Sequence, residues 1–222
     1  MKIYKIPNPC RAILFDMDST LYTNAEYARV QVDVLVERLA QLKRKSFVEM
    51  EAEIAVYRKK WAVENGGLEI SLGNTFVAFG VGMDESVRWR NELIHPERHI
   101  SRDGRLRVTL EKLAMYFTMA VVTNNPVSVA EKTLDALGVR DLFRAIVGLD
   151  TCGVSKPHAE PFMKAVTLCC GPTSASETCV SVGDRYDIDI ALPLELGMGG
   201  ILVSGVEDVH ALPELLSQGW NQ

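Results

Sequence analysis

Two aspartates one residue apart, Asp16 and Asp18, follow the short apolar run Arg11–Phe15 (RAILF) and open the segment Asp16-Met17-Asp18-Ser19-Thr20-Leu21. An aspartate that leaves a buried strand is costly unless it is paired or bound to a cation. Two carboxylates at this spacing can divide a group transfer between them. The first can attack an electrophilic centre as a nucleophile. The second can protonate the leaving oxygen and later take a proton from water. Capping of the following turn is the simpler use of Asp and Ser, and the segment alone does not separate the two readings.

Distant segments add weight to the chemical reading. Val182-Gly183-Asp184-Arg185-Tyr186-Asp187-Ile188-Asp189 again places carboxylates directly after an apolar run. If the strands that end in Asp16 and Asp184 are neighbours, Asp184 and Asp189 converge on Asp16. Such a set of hard oxygen ligands suits a divalent ion, and with a phosphate nearby the natural choice is Mg2+. Asp187 stays open between that site and a solvated turn. Thr123 and Asn124, in Val121-Val122-Thr123-Asn124-Asn125-Pro126, offer a hydroxyl and an amide at another strand end. The helix that opens near Pro126 offers backbone N–H groups to phosphate oxygens. Lys156, in Gly153-Val154-Ser155-Lys156-Pro157, can supply a positive charge to both nucleophile and phosphate. Each of these residues taken singly is an ordinary cap or a solvated side chain; together they describe a phosphoryl-transfer site.

The elements that must carry these residues are a set of short apolar strands: Arg11–Phe15, Thr118–Val122, Ala145–Val147, Thr178–Val182 and Gly200–Val203. Helical patterns lie between them, notably Gly104–Ala114, Val127–Leu137 stopping at Gly138, and Ala159–Cys169 stopping before Gly171-Pro172. This alternation predicts βαβ units and an open parallel α/β sheet, with ligands bound beyond the C-terminal strand ends. Asp16, Thr123 and Asp184 all fall there. From Leu21 to about Arg98 the rhythm breaks into helical patterns at Ala25–Lys45, Phe47–Val63, around Thr75–Phe79 and at Glu85–Ile94. So long a stretch is far beyond an ordinary βα loop and predicts a separate helical lobe over the strand ends. The expected division is a core of residues 1–20 and 99–222 with a lobe of residues 21–98.

Asp16-Met17-Asp18-Ser19-Thr20, Thr123, Lys156 with Pro157, and Gly183-Asp184 through Asp189 together resemble the four motifs of the haloacid-dehalogenase-like hydrolase superfamily. The resemblance covers the core, and the lobe looks like that family's type-one helical cap. It implies a three-layer Rossmann-like fold and a phosphatase acting through an aspartyl-phosphate. In that scheme Asp16 is the nucleophile and Asp18 the general acid and base. Magnesium would be held by the Asp16 carboxylate, the backbone carbonyl of Asp18 and the Asp184 carboxylate, with Asp189 acting directly or through water. Thr123 and Lys156 would hold the transferring group. Dehalogenase members lack the second aspartate of the first motif, so Asp18 points to phosphate chemistry. Phosphonate hydrolysis resembles a branch with a cap lysine that forms a Schiff base, and the spacing of Lys43, Lys45, Lys59 and Lys60 singles none of them out.

The remaining sequence bounds the reading. The chain has 222 residues, 24 Lys and Arg against 29 Asp and Glu, and a formal charge of -5, which does not suggest a nucleic-acid binder. No apolar run approaches the roughly 18 residues of a membrane span. The amino terminus lacks a secretory-leader pattern, and five cysteines without a CxxC read as reduced thiols in a cytoplasm. The four histidines are too scattered for a zinc site. Met17, Met115, Met119, Met163 and Met198 read as core or near-core filling. In the lobe, Tyr22 and Asn24 are placed near the cleft entrance as substrate contacts. The stretches Tyr57–Trp61 and Arg88-Trp89-Arg90 read as solvated helix faces, with Trp61 packed inward. The expected partner is a small phosphorylated metabolite, such as a sugar phosphate, a nucleoside monophosphate or phosphoglycolate. A sugar phosphomutase sharing the same intermediate and a non-catalytic phosphate-binding protein are the rival readings. No helical face is apolar enough to name an oligomer interface.

Overall fold

The computed structural model describes residues 1–172 and 174–217. Six strands form one sheet: β1 (Lys2–Lys5), β2 (Ala12–Phe15), β3 (Thr118–Val122), β4 (Ala145–Val147), β5 (Cys179–Gly183) and β6 (Gly199–Leu202), in the spatial order β1-β6-β5-β2-β3-β4. All neighbours run parallel except β1, which pairs antiparallel with β6. β2 is central, and Phe15 stands level with Val121 on one side and Val182 on the other. The chain therefore leaves β2, β3 and β5 at the same end, carrying Asp16, Thr123 and Asp184 out together.

The five apolar runs all appear as strands. β1 was not expected, because its sequence KIYK has no continuous apolar side and its residues are mostly exposed. It closes the β6 edge with lysines outward, a common way of blunting a sheet edge. The sheet is thus parallel at its centre with one antiparallel edge.

Alternating side chains sort the two faces of the sheet. Ala12, Leu14, Ala120 and Val122 pack against Phe162, Ala165 and Val166 of helix α8 (Ala159–Cys170). Ile13, Phe15 and Val121 face the other way, toward Leu106 and Leu110 of α5 (Gly104–Ala114) and Val129 and Leu134 of α6 (Val127–Leu137). Helix, sheet, helix make three layers. α6 ends where Gly138 takes a left-handed φ of 75°, as the sequence pattern implied.

Four helices fill the chain between β2 and α5: α1 (Ala25–Lys43), α2 (Phe47–Glu64), α3 (Leu72–Ala78) and α4 (Met83–Leu93). α1 stops two residues earlier than its pattern suggested, because Arg44 turns left-handed and its N–H bonds back to Ala40 and Gln41. Ser46 and Glu49 form a reciprocal capping box that starts α2. Leu35 and Leu39 of α1, Met50 of α2, Phe76 of α3 and Trp89 of α4 are buried, and Phe76 meets Trp89 edge to face. Most of α2 is solvated, with Lys59 and Lys60 exposed and Trp61 half-buried.

Two expectations about packing need correction. Met17, Met119 and Met198 are buried, but Met115 is 68% exposed just past the end of α5 and Met163 lies on the outer side of α8. Arg88 is exposed beside Glu85, whereas Trp89 and Arg90 turn inward, because residues 86, 89 and 90 share one helix face. The other helices of the described residues are α7 (Leu149–Cys152), α9 (Ala191–Glu195), α10 (Val206–Val209) and α11 (Leu212–Ser217).

Phe15 ties strand to layer: it is fully buried and packs edge-on against Phe143 at 6.2 Å between centroids. Phe15→Ala is expected to lower unfolding free energy by about 3–5 kcal/mol. Urea unfolding followed by circular dichroism checks this, and a change below about 1 kcal/mol would contradict the packing described.

Candidate active site

Asp16 leaves β2 with its N–H bonded to the Val182 carbonyl at 2.8 Å, which fixes the backbone before the side chain makes any contact. Its Oδ1 accepts from Lys156 Nζ at 2.6 Å, and its Oδ2 accepts from the Thr20 hydroxyl at 3.3 Å. The same Lys156 ammonium donates to Asp189 Oδ1, also at 2.6 Å. Lys156 is 2% exposed, so it is a buried cation clamped between two carboxylates and not a solvated loop lysine. Asn124 Oδ1 accepts from the Lys156 N–H at 2.7 Å and anchors the backbone that delivers it.

Asp189 arrives by an unusual local route. After β5 the chain makes a π-helical turn, Tyr186–Ile190, which brings Asp189 back over the strand end. Its Oδ2 accepts from the Arg185 N–H at 3.1 Å, and its carbonyl accepts from the Ser181 hydroxyl at 2.7 Å. Gly183 makes room for this return. A Cβ there would lie 2.4 Å from the Asp189 Cβ and 2.6 Å from its Cγ.

Carboxylate oxygens of Asp16, Asp184 and Asp189 all lie within 4.8 Å of one another. Burial, together with the nearby Asp189, pushes the Asp184 pKa up to about 6. Burial is also the main reason that Asp16 is held above the ordinary carboxylate range; Lys156 opposes the shift and Asp189 adds to it. Lys156 would be lowered by burial, but Asp16 and Asp189 outweigh that and raise it. Lys156 and, at Asp184, the nearby Arg185 are thus set against three carboxylates. The donor set is hard, oxygen-only and under-neutralised, and it can hold a divalent metal ion.

Asp18 does not join this cluster through its carboxylate. After it, Ser19 takes a left-handed φ of 60°, and Leu21 N–H bonds back to the Met17 carbonyl at 2.9 Å. That tight turn sets the Asp18 side chain in a separate set of donors. Its Oδ1 accepts from the Tyr22 hydroxyl and from Gln31 Nε2 at 2.9 Å, and its Oδ2 accepts from Asn125 Nδ2 at 3.0 Å. Asn125 Nδ2 also bonds Gln31 Oε1 at 3.0 Å, which closes the network. Burial, chiefly, and Asp18 itself raise the Tyr22 pKa, so its phenol stays a donor.

A cavity of about 270 Å³ is bounded on the sheet side by Asp16, Asp18, Asn124, Lys156 and Asp184, among others. Its opposite wall is formed by α1, α3 and α4 residues such as Gln31, Leu35, Leu72 and Arg90. Thr123 is buried behind this lining. Its hydroxyl accepts from the Asn125 N–H at 3.1 Å, and its own N–H donates to Val147 at 2.9 Å, so it shapes the turn that presents Asn124 and Asn125. Tyr22 does not line the cavity and meets it through Asp18 and through Gln31, whose Nε2 donates to its hydroxyl at 3.2 Å. Asn24 is used in the frame: its Oδ1 caps α1 at Tyr27 N–H, and its Nδ2 donates to the His99 carbonyl at 3.1 Å. Asp187 accepts from the Glu69 N–H at 3.2 Å, which places it on the seam between the turn after β5 and the helical insertion.

Gln31, Asn125 and Arg90 were not among the residues expected at the site. Asn125 neighbours a recognised segment and was within reach of the sequence. Gln31 and Arg90 lie on helices of the insertion, and only tertiary packing brings them in.

A family model described as haloacid dehalogenase-like hydrolase matches residues 10–193. A phosphoglycolate phosphatase of Colwellia psychrerythraea is 34% identical over 71 residues, which span 31% of this chain and 29% of that relative. A glyceraldehyde 3-phosphate phosphatase of Methanocaldococcus jannaschii is 27% identical over 202 residues, spanning 85% of this chain and 82% of the relative. Among solved structures, a 2-haloacid dehalogenase from Pseudomonas syringae superposes with a TM-score of 0.58 at 22% identity, over 95% of this chain and 99% of that one. At that identity the likeness is one of fold.

Metal binding and pH are linked through Asp16 and Asp184. Asp184 rises from 3.8 to about 6 on folding, so its contribution to stability without metal is full below about pH 4 and is lost as pH rises through about 6. A cation needs the deprotonated form. The gain in melting temperature on adding millimolar Mg2+ is therefore expected to grow from pH 5 to pH 8, as read by thermal shift. A gain that stays flat or shrinks with pH would contradict the assignment. Gly183→Ala is expected to displace Asp189 and to weaken that Mg2+-dependent gain at least about tenfold in apparent affinity, with the secondary structure retained.

Proposed function

The chain belongs to the haloacid dehalogenase-like hydrolases, and from that premise we propose that it hydrolyses a small phosphomonoester with Mg2+, through an aspartyl-phosphate on Asp16. The observation that carries this reading is the separation of two carboxylates around one cavity. Asp16 is fixed beside Lys156 and the acidic cluster, while Asp18, two residues on, is held by its own neutral donors.

In the first half-reaction an Asp16 carboxylate oxygen attacks phosphorus, the bond to the leaving oxygen breaks, and Asp18 passes a proton to that oxygen. In the second, Asp18 takes a proton from water, the water oxygen attacks phosphorus, and the bond to Asp16 breaks to release phosphate. Lys156 keeps Asp16 oriented and offers positive charge to the transferring oxygens, and Asn124 holds the Lys156 loop. Thr123 keeps the turn above β3 in shape. Asp16, Asp184 and Asp189 would hold Mg2+, with the Asp18 carbonyl as a further ligand. When bound, the ion offsets the repulsion between an anionic nucleophile and an anionic phosphate.

We read residues 21–98 as a cap lobe and residues 1–20 with 99–222 as the catalytic core. Two linkers join them, near Tyr22–Asn24 and near His99, and Asn24 ties one to the other. A cavity of about 270 Å³ favours a leaving group of a few carbons over a nucleoside. It leaves little room for a hexose carrying two phosphates to turn over, which favours hydrolase over mutase. The names of the two phosphatase relatives support a small phosphorylated metabolite as substrate.

The test is a panel of phosphoglycolate, glyceraldehyde 3-phosphate, sugar phosphates and nucleoside monophosphates with Mg2+, read by free phosphate and by product isomerisation. Phosphate release from a two- or three-carbon ester is expected, with Asp16→Asn lowering kcat at least about 10³-fold while the fold persists. Isomerisation without free phosphate would replace this reading with the mutase, and an active Asp16→Asn would refute the covalent route.

A further inference from the structure

Arg90 is 4% exposed, yet among the described residues no carboxylate lies within ion-pair distance of it. Only Nη1 is engaged, with the Ser86 carbonyl at 3.3 Å and the Ser86 hydroxyl, one helical turn back. Among the described residues, Nε and Nη2, the side-on pair of the guanidinium fork, make no hydrogen bond. The side chain as a whole is buried, while its two idle donors stay open to whatever enters the cavity that Arg90 lines. Burial lowers its pKa to about 10, Asp18 working against the shift, so it remains charged at neutral pH.

The location says what that partner is. Arg90 lines the same cavity as Asp16, but from the wall formed by the insertion. The rest of that wall is largely apolar, with Val32, Leu35, Leu72 and Ile94. Its other polar side chain, Gln31, is already spent on Asp18 and Asn125. The phosphoryl group is served from the sheet side by Lys156 and the acidic cluster. Arg90 therefore faces the part of the substrate that leaves. Two parallel N–H donors on a planar fork match a carboxylate edge.

Resting on the phosphatase reading above, we propose that the substrate is a phosphorylated small carboxylic acid, whose carboxylate is gripped side-on by Arg90 while its phosphate meets Asp16. A cavity of about 270 Å³ lined by both groups suits an acid of a few carbons. Arg90 sets specificity by contact with the substrate; it takes no part in bond breaking.

Two measurements test this. The first compares kcat/KM for 2-phosphoglycolate with that for ethyl phosphate, which has the same size but no carboxylate. The wild-type ratio is expected to exceed one, and Arg90→Met is expected to lower it at least about 30-fold, chiefly through KM, with Arg90→Lys intermediate. Should Arg90→Met fail to fold, Arg90→Lys alone is expected to lower the ratio about fivefold or more. A ratio unmoved by either folded variant overturns the proposal, whether both substrates suffer equally or neither does. The second measurement needs no turnover: thermal stabilisation by phosphonoacetate against methylphosphonate, both with Mg2+. A larger effect of phosphonoacetate that vanishes in the variants supports the carboxylate grip. Equal effects in the wild type sink it. If no phosphomonoester is hydrolysed but phosphonoacetate still prefers the intact Arg90, the hydrolase reading fails and the carboxylate site stands.

Discussion

The ammonium of Lys156, shared at 2.6 Å with both Asp16 and Asp189, is the contact on which the site is built. Removing three such charges from water costs several kcal/mol each before any attraction is counted. The shared geometry recovers part of that cost by giving each carboxylate a charge-assisted bond. It does not neutralise the group, because Asp184 stands within the same cluster. One lysine is enough to let the carboxylates approach and too little to satisfy them. The excess negative charge makes the cluster a standing site for a divalent cation, and its cost is the reason Asp184 gives up its charge so readily without one.

The rest of the core serves that contact. With β2 between β3 and β5, three strand ends are brought side by side. Asp16 is fixed through its backbone by β5, so nucleophile and acidic turn cannot drift apart without breaking the sheet. Gly183 has no Cβ in the one place where Asp189 must fit. Ser19 accepts an uncommon left-handed backbone and separates the two aspartates of the first segment into two environments. That turn is the origin of their different surroundings: one lies beside Lys156 and further carboxylates, the other among neutral donors.

This explains what the sequence made legible. Short apolar runs between helical patterns advertise buried strands, so β2 to β6 could be read, with Asp16 and Asp184 at the ends of two of them; Lys156 lies in a polar loop and became legible only beside those two acidic segments. β1 carried no such signal, since an exposed edge strand needs no apolar face. Tyr22 and Asn24 were placed near the substrate because they follow Asp18 in the chain. The turn at Ser19 instead sends Tyr22 back against Asp18, and Asn24 is committed to capping α1. Gln31 and Arg90 look like ordinary polar residues on amphipathic helices. Their importance comes from the docking of those helices, which a periodic pattern does not encode; only the grouping of Ser86, Trp89 and Arg90 on one face hinted that α4 turns a charge inward.

The seam between insertion and core is closed by small, mostly neutral contacts: Ser71 with Ser155 at 3.0 Å, Ser155 with Asn74 at 3.1 Å, Asp187 with the Glu69 N–H. Bonds of this kind contribute about 1 kcal/mol each, beside an apolar cluster that runs from the insertion into the core. Gln31 differs from the others because its partner is Asp18 itself. Any movement that lifted α1 from the core would take a donor from the Asp18 carboxylate. In the proposed reaction, orientation of Asp18 and recognition of the leaving group would therefore both depend on the docking of α1 and α4, and a substrate that fills the Arg90 side of the cavity would favour the docked arrangement.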